Sequence, residues 1–262
     1  MISTDPGRNQ VKMKNLYHTI ISYSKIYFIS GGGWNQLTNP AVDHIISYNN
    51  SLYGVGTDNA VWVHYRNSKN WRKVTSGSVK SIFIQDGTIY GLGMDDAIWK
   101  HSLWGSRWRK ITQGSVRKFV VHGDDIFGLG MDNAIWKTDI YGSPSNPKTW
   151  TKITDGSVTD FVVYGGRIFG VGMSGAIWTH KKNGWGTWQK ITSGTVSQVQ
   201  IHDNKIYGLG TDNAIWEHPL DQHNRGWKRT TTGNVAYFVV NPHSDRFYGI
   251  GMDKSVFTHG II

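Results

Sequence analysis

The chain has 262 residues, a formal net charge of +10 and no cysteine. One barrel or propeller routinely reaches this length, and without thiols there is no disulfide, thiolate zinc site or cysteine nucleophile. The charge favours anionic partners, but charge alone speaks to association and solubility rather than to fold.

Residues 1–33 read as an N-terminal extension, with an extra hairpin through Tyr17 to Ile21 and Ile26 to Ser30 as one arrangement. Ile20-Ile21 and Ile26-Tyr27-Phe28-Ile29 are short apolar pieces broken by polar residues. Neither a signal peptide nor a membrane span is expected from them, so the expected location is the cytoplasm, with non-classical secretion left open.

From residue 34 onward the chain repeats. The segment Gly54-Val-Gly-Thr-Asp-Asn-Ala-Val-Trp62 returns as Gly91 to Trp99, Gly128 to Trp136, Gly170 to Trp178, Gly208 to Trp216 and Gly249 to Phe257, at intervals of 37 to 42 residues. A second Trp follows five of these, at Trp71, Trp108, Trp150, Trp188 and Trp227, and eight residues later comes Val79, Val116, Val158, Val196 or Val235. The first-to-second Trp spacing alone is elastic: nine, nine, fourteen, ten and eleven residues. The connection from Val235 to Tyr248 is two residues longer than its equivalents.

Each unit reads as four short strands. In the third, Val116 to Val121 is β-branched and aromatic, His122-Gly-Asp-Asp125 is turn material, and Ile126 to Gly130 is a second strand. Asp132-Asn133 makes the next turn, and Ala134 to Lys137 and Trp150 to Thr154 complete the set. No stretch holds a 3.6-residue period long enough for a helix, and Asp-Asn, Asp-Gly and Gly-Gly pairs suit two-residue hairpins. Units of about forty residues with four strands are propeller blades. The last unit lacks a second Trp after Phe257, while Trp34-Asn-Gln-Leu-Thr38 stands eight residues before Val42. The expectation is an all-β, six-bladed propeller over 34–262, four antiparallel strands per blade, closed by an N-terminal strand.

The unit Tyr/Phe-Gly-x-Gly-Met/Thr-Asp-Asn-Ala-Ile-Trp, with Trp-x-Lys-Ile-Thr-x-Gly-Ser-Val, resembles the tectonin repeat over residues 34–259. The resemblance implies a six-bladed propeller that binds carbohydrate, notably O-methylated glycans or bacterial surface polysaccharide, in innate defence. The chain departs from its own pattern at Ser174-Gly175 and at Asp253-Lys254 with Phe257, in blades four and six.

The repeated residues carry two readings each. The Trps wedge between blade faces, or line a pocket in which a sugar's C–H face packs on the ring. Asp58-Asn59, Asp95-Asp96, Asp132-Asn133 and Asp212-Asn213 are turn residues, or polar partners for sugar hydroxyls. The expected carbohydrate site thus comprises these pairs with Trp62, Trp99, Trp136, Trp178, Trp216 and Asp253. The Gly-x-Gly strand lets a ligand approach the backbone. His64, His101, His180, His218 and His259 follow the first aromatic by two residues and read as hydrogen-bonding residues at a blade interface, or as ligand contacts. Lys73, Lys110, Lys152, Lys190 and Arg229 read as solvated edge cations. Trp104 and Trp185 lie in the elastic loops and point to ligand or subunit contacts, which leaves a homo-oligomer open.

Catalysis fits poorly. A glycosidase needs two placed carboxylates, the only glutamate is Glu217, and no sialidase Asp-box is present. No enzyme, metal or cofactor is expected, and nucleic acid ranks behind glycans as a partner. The competing function is a protein-interaction scaffold docking through its variable loops.

Overall fold

The computed structural model describes residues 33–39, 42–221 and 225–260. The hairpin expected within residues 1–33 lies outside the described residues. The described chain contains twenty-four strands in six four-stranded antiparallel sheets.

The strands follow the repeat. After β1 (Asn35–Thr38), blade one holds β2 (Val42–Tyr48), β3 (Ser51–Gly56), β4 (Val61–Tyr65) and β5 (Arg72–Lys73). Blade two holds β6 (Val79–Gln85), β7 (Thr88–Gly93), β8 (Ile98–Ser102) and β9 (Arg109–Lys110). Blade three holds β10 (Val116–His122), β11 (Asp125–Gly130), β12 (Ile135–Asp139) and β13 (Thr151–Lys152). Blade four holds β14 (Val158–Tyr164), β15 (Arg167–Gly172), β16 (Ile177–Lys181) and β17 (Gln189–Lys190). Blade five holds β18 (Val196–His202), β19 (Lys205–Gly210), β20 (Ile215–Pro219) and β21 (Lys228–Arg229), and β22 (Val235–Asn241), β23 (Arg246–Gly251) and β24 (Val256–Gly260) begin blade six. Its outer strand is β1, paired antiparallel with β24 through Asn35↔Thr258, Gln36↔Phe257 and Thr38↔Val256. The ring closes as expected. Each inner strand lies against the next, from β2 to β6, β10, β14, β18, β22 and back to β2.

Alternation along the strands builds the core. Residues such as Val79, Ile82 and Ile84 are buried on the inner strands, and the aromatic before Gly-x-Gly, such as Phe127 or Tyr207, is buried on the second strand of blades one to five, with Tyr248 of blade six partly buried. These side chains pack between successive sheets, so Tyr53, Val55, Val61 and Val63 of blade one meet Val79, Ile82 and Ile89 of blade two.

The glycines serve this packing. A Cβ on Gly91 would lie 2.5 Å from Val79 Cγ1 and 2.9 Å from the Trp108 ring, and one on Gly93 would lie 2.6 Å from Trp99 Nε1. The first glycine therefore makes room for the second Trp and the second glycine for the first Trp. Close approach is required, but by the protein's own indoles.

The recurrent threonine near the fourth strand has a fixed task. Oγ1 of Thr75, Thr112, Thr154, Thr192 and Thr231 accepts the amide of Val61, Ile98, Ile135, Ile177 and Ile215 at 2.8–3.1 Å. These buried bonds hold the two-residue outer strands to the blade, where an uncapped amide would cost about 1–3 kcal/mol.

Candidate functional site

The expected site residues all sit at the turn between the second and third strands and at the start of the third strand. In the turn, Asn59, Asp96, Asn133 and Asn213 hold φ of 57–60°, and Gly175 takes the same place at φ 80°. That left-handed conformation favours Asn, Asp and Gly. The preceding Asp closes an Asx turn: Oδ1 of Asp58, Asp95, Asp132 and Asp212 accepts the amide two residues on at 3.1–3.3 Å.

The same oxygen accepts the indole N–H of the first Trp. Trp62, Trp99, Trp136 and Trp216 donate from Nε1 to Asp58, Asp95, Asp132 and Asp212 at 3.0–3.1 Å. The outer oxygen, Oδ2, pairs with Lys73, Lys110, Lys152 or Arg229 at 2.7–3.1 Å. Those cations stand 5.4–6.0 Å from the centroid of the same Trp. Four blades therefore present one exposed Asp–Trp–cation cluster each.

The cations are thus more than solvated edge residues. The register explains it: Trp62 lies opposite Lys73, Trp99 opposite Lys110, Trp136 opposite Lys152 and Trp216 opposite Arg229. A turn alone needs no acid here. An acid that also clamps an indole and a lysine does.

Blades four and six depart as their sequences foretell. Lys190 still lies 6.0 Å over the Trp178 ring, but Ser174 replaces the acid. In blade six, Asp253 closes the same Asx turn on the Ser255 amide at 3.0 Å, but its outer oxygen accepts the Ser255 hydroxyl at 2.8 Å, and Phe257 offers no N–H. Gln36, opposite Phe257, takes the place of the cation.

The clusters hold their acids ionised. Hydrogen bonds from Lys73 and Trp62 lower the Asp58 pKa to about 2, and Trp136, with Lys152, does the same for Asp132. Partial burial works against Asp95, yet Lys110 and Trp99 still lower its pKa, and Trp216 lowers that of Asp212. A depressed folded pKa adds stability above the unfolded value and loses it as the pH falls through the folded one. Tryptophan emission should therefore change between about pH 4 and pH 2, ahead of global unfolding. In Asp132→Ala the contribution of blade three should vanish.

The other recurrent aromatics belong to the core. His64, His101, His180, His218 and His259 are all buried, and each ring packs 5.1–5.4 Å from Trp71, Trp108, Trp188, Trp227 or Trp34. Nδ1 of His101, His180, His218 and His259 meets the next residue's carbonyl at 2.6–2.8 Å. Nε1 of Trp34, Trp150 and Trp227 donates to Thr232, Gln113 and Ser193, each at the end of the preceding blade, at 2.9–3.1 Å. These three indoles tie blade to blade by a hydrogen bond, whereas Nε1 of Trp71, Trp108 and Trp188 is buried without a partner among the described residues.

One surface feature carried no signal in the sequence, and another was expected from it. Met94, Met131, Met173 and Met252 are 54–70% exposed at one repeat position; Met94 and Met131 flank the clusters of blades two and three with soft apolar surface, while Met173 and Met252 stand in blades four and six beside Ser174 and Asp253. Trp104 and Trp185 were singled out as loop residues, and they are 87% and 76% exposed. Tyr141 joins them from the equivalent loop of the blade between. No group of three or more His, Cys, Asp or Glu gathers among the described residues in a metal-binding arrangement.

Fold and repeated surface together define a six-bladed propeller that displays one polar-aromatic cluster on each of four blades. The tectonin domain model matches residues 3–211. The chain belongs to the tectonin family. No curated protein matches it. Among solved structures it is similar to the computationally designed Ika8 protein, at TM-score 0.54 and 10% identity, covering 86% of this chain and 99% of that one. It is also similar to PorZ, a bacterial surface component of the type-IX secretion system of Porphyromonas gingivalis, at TM-score 0.55 and 13% identity. That match covers 88% of this chain and 34% of PorZ, so the chain spans about a third of that protein. At these identities both similarities concern the fold alone.

Proposed function

We propose that this protein is a non-catalytic, multivalent lectin that reads glycans through its repeated Asp–Trp–cation clusters. The observation that carries the reading is the fourfold copy of one exposed cluster on one side of the ring. Each offers an indole edge, a fixed carboxylate, a cation and, beside it, a methionine or threonine. Such a set meets a sugar's hydroxyls and its apolar C–H face together. The apolar methionine suits an O-methyl group, which needs a neighbour without an unpaired donor. O-methylated or other foreign surface glycans, met in innate defence, are the proposed targets, and the cytoplasm is the proposed location.

Calorimetry tests it. Wild type should bind an O-methylated monosaccharide at several sites, with blades four and six weakest. Asp132→Ala with Asn133→Gly should lower the stoichiometry by one and leave the distant blades nearly unchanged. Agglutination should fall more steeply than monosaccharide affinity, because avidity compounds each loss. Zero stoichiometry with every sugar, methylated ones included, would end the lectin reading.

A scaffold role is the second reading, favoured by the exposed aromatics Trp104, Tyr141 and Trp185 in loops of three successive blades. Trp104→Ala with Trp185→Ala should leave sugar binding intact and remove only a protein partner.

A further inference from the structure

One ring in the molecule does not repeat. The third residue of the six inner strands is His44, Ser81, Lys118, Asp160, Gln198 or Tyr237, six different polar side chains at one repeat position. A register shift immediately precedes each of them. Bulges of this kind re-aim side chains, and all six residues line a central channel of about 700 Å³.

Most of this ring joins one blade to the next. Gln198 accepts the Phe238 amide at 3.1 Å and donates to the Phe238 carbonyl at 2.7 Å. Asp160 accepts the Val199 amide at 2.8 Å and pairs with Lys118 from the blade before. Across the closure, the Tyr237 hydroxyl meets His44 Nε2 at 3.0 Å. The belt thus links blades three, four, five, six and one. It is interrupted on both sides of Ser81.

The gap is rich in donors. Val199 and Phe238, whose amides the belt caps, stand opposite Gly208 and Gly249. Ile82 and Phe119 hold the same register opposite Gly91 and Gly128, so their amides take the same direction. The Ser81 side chain stops well short of the reach that Gln198 uses. His44 Nδ1 is enclosed without a partner among the described residues. Burial, and then Lys118, lower the His44 pKa to about 3, so the ring is neutral. Lys118 Nζ has three N–H groups and, among the described residues, one side-chain carboxylate partner, Asp160. One blade further on, Asp160 shows what such a set accepts: a carboxylate with one oxygen on a backbone amide and the other on Lys118.

We propose that the gap at Ser81 is a binding site for the carboxylate of a small organic acid. The carboxylate bridges the Phe119 amide, the Ser81 hydroxyl and Lys118; as for Asp160 in blade four the amide comes from the following blade, but here the lysine comes from that blade too, whereas Asp160 takes its lysine from the blade before. The acid's apolar body lies against Ile46, Phe83 and Val120, which line the same channel. The site is separate from the surface clusters and stands whether or not those bind sugar.

The test is calorimetry on the full chain with sodium benzoate and with benzyl alcohol, which has the same ring without the charge. Benzoate should bind with a stoichiometry of one, and benzyl alcohol at least about tenfold more weakly. Ser81→Asp supplies the missing carboxylate internally, so it should abolish benzoate binding while the melting temperature holds or rises. Should that variant fail to fold, Ser81→Asn caps the amide without charge and should weaken benzoate at least about tenfold. Equal binding of benzoate and benzyl alcohol would overturn the proposal, because a merely hydrated channel would not discriminate charge. So would undiminished benzoate affinity in the folded Ser81 variant, or no benzoate binding by the wild type up to about 10 mM.

Discussion

A chain lacking residues 34–38 is expected to lose roughly half of its stability and to unfold over a broadened transition. The segment is the outer strand of blade six and carries that blade's second Trp. Trp34 packs 5.3 Å from His259, and its Nε1 donates to the Thr232 carbonyl at 3.1 Å. Its ring also fills the space over Gly249, where a Cβ would stand 3.0 Å away. Gln36 adds a bond to Ser255 Oγ at 3.3 Å, and Thr38 is buried opposite Val256. Truncating such an indole alone, as in Trp34→Ala, should cost about 3–5 kcal/mol. Total stability for a domain is about 5–15 kcal/mol. Deleting the strand removes the ladder as well and leaves β24 as an unpaired edge, which invites association between chains. Guanidinium unfolding followed by tryptophan emission would measure it. An unchanged midpoint would mean that β1 does not hold the ring shut.

How much of this was legible in the sequence depends on whether a feature repeats. Gly54, Gly56 and Trp62 recur at constant spacing, with Phe257 for the Trp in blade six, and Thr75 recurs at constant spacing from the second Trp, because each meets similar neighbours from blade to blade. Their spacing therefore yields strands, turns and closure before any coordinate. The cluster acids were legible as turn residues, but their bonds to the indole and the lysine were not. That pairing needs the register of Trp62 opposite Lys73, and the first-to-second Trp loops vary in length, which hides it. Gly-x-Gly was read as room for a ligand, and the room is taken by Val79, Trp99 and Trp108. A glycine announces close approach without saying what approaches. The polar ring of His44, Ser81, Lys118, Asp160, Gln198 and Tyr237 left no repeat signal at all. Its bonded members have different partners and Ser81 bonds neither neighbour in the belt, so no residue type is shared and periodicity cannot find it.

Gly128→Ala should be among the most damaging single-methyl substitutions in blade three, at about 3 kcal/mol. The added Cβ would lie 2.5 Å from Val116 Cγ1 and 2.9 Å from the Trp150 ring. Val116 is buried, and Trp150 is held by its bond to the Gln113 carbonyl at 2.9 Å, so neither can yield cheaply. Gly123 in the same blade is the control. It has φ of 63° and nothing within 4 Å of a new Cβ, so alanine there adds backbone strain of about 1 kcal/mol and no clash. A double-mutant cycle separates crowding from strand propensity. Val116→Ala removes the closest methyl at a cost of about 2 kcal/mol on its own. Combined with Gly128→Ala it should cost about 1 kcal/mol less than the sum, because the new methyl then occupies the vacated space. Strictly additive values, or a Gly128→Ala as mild as Gly123→Ala, would show that the first glycine of the repeat is not there to seat the second Trp.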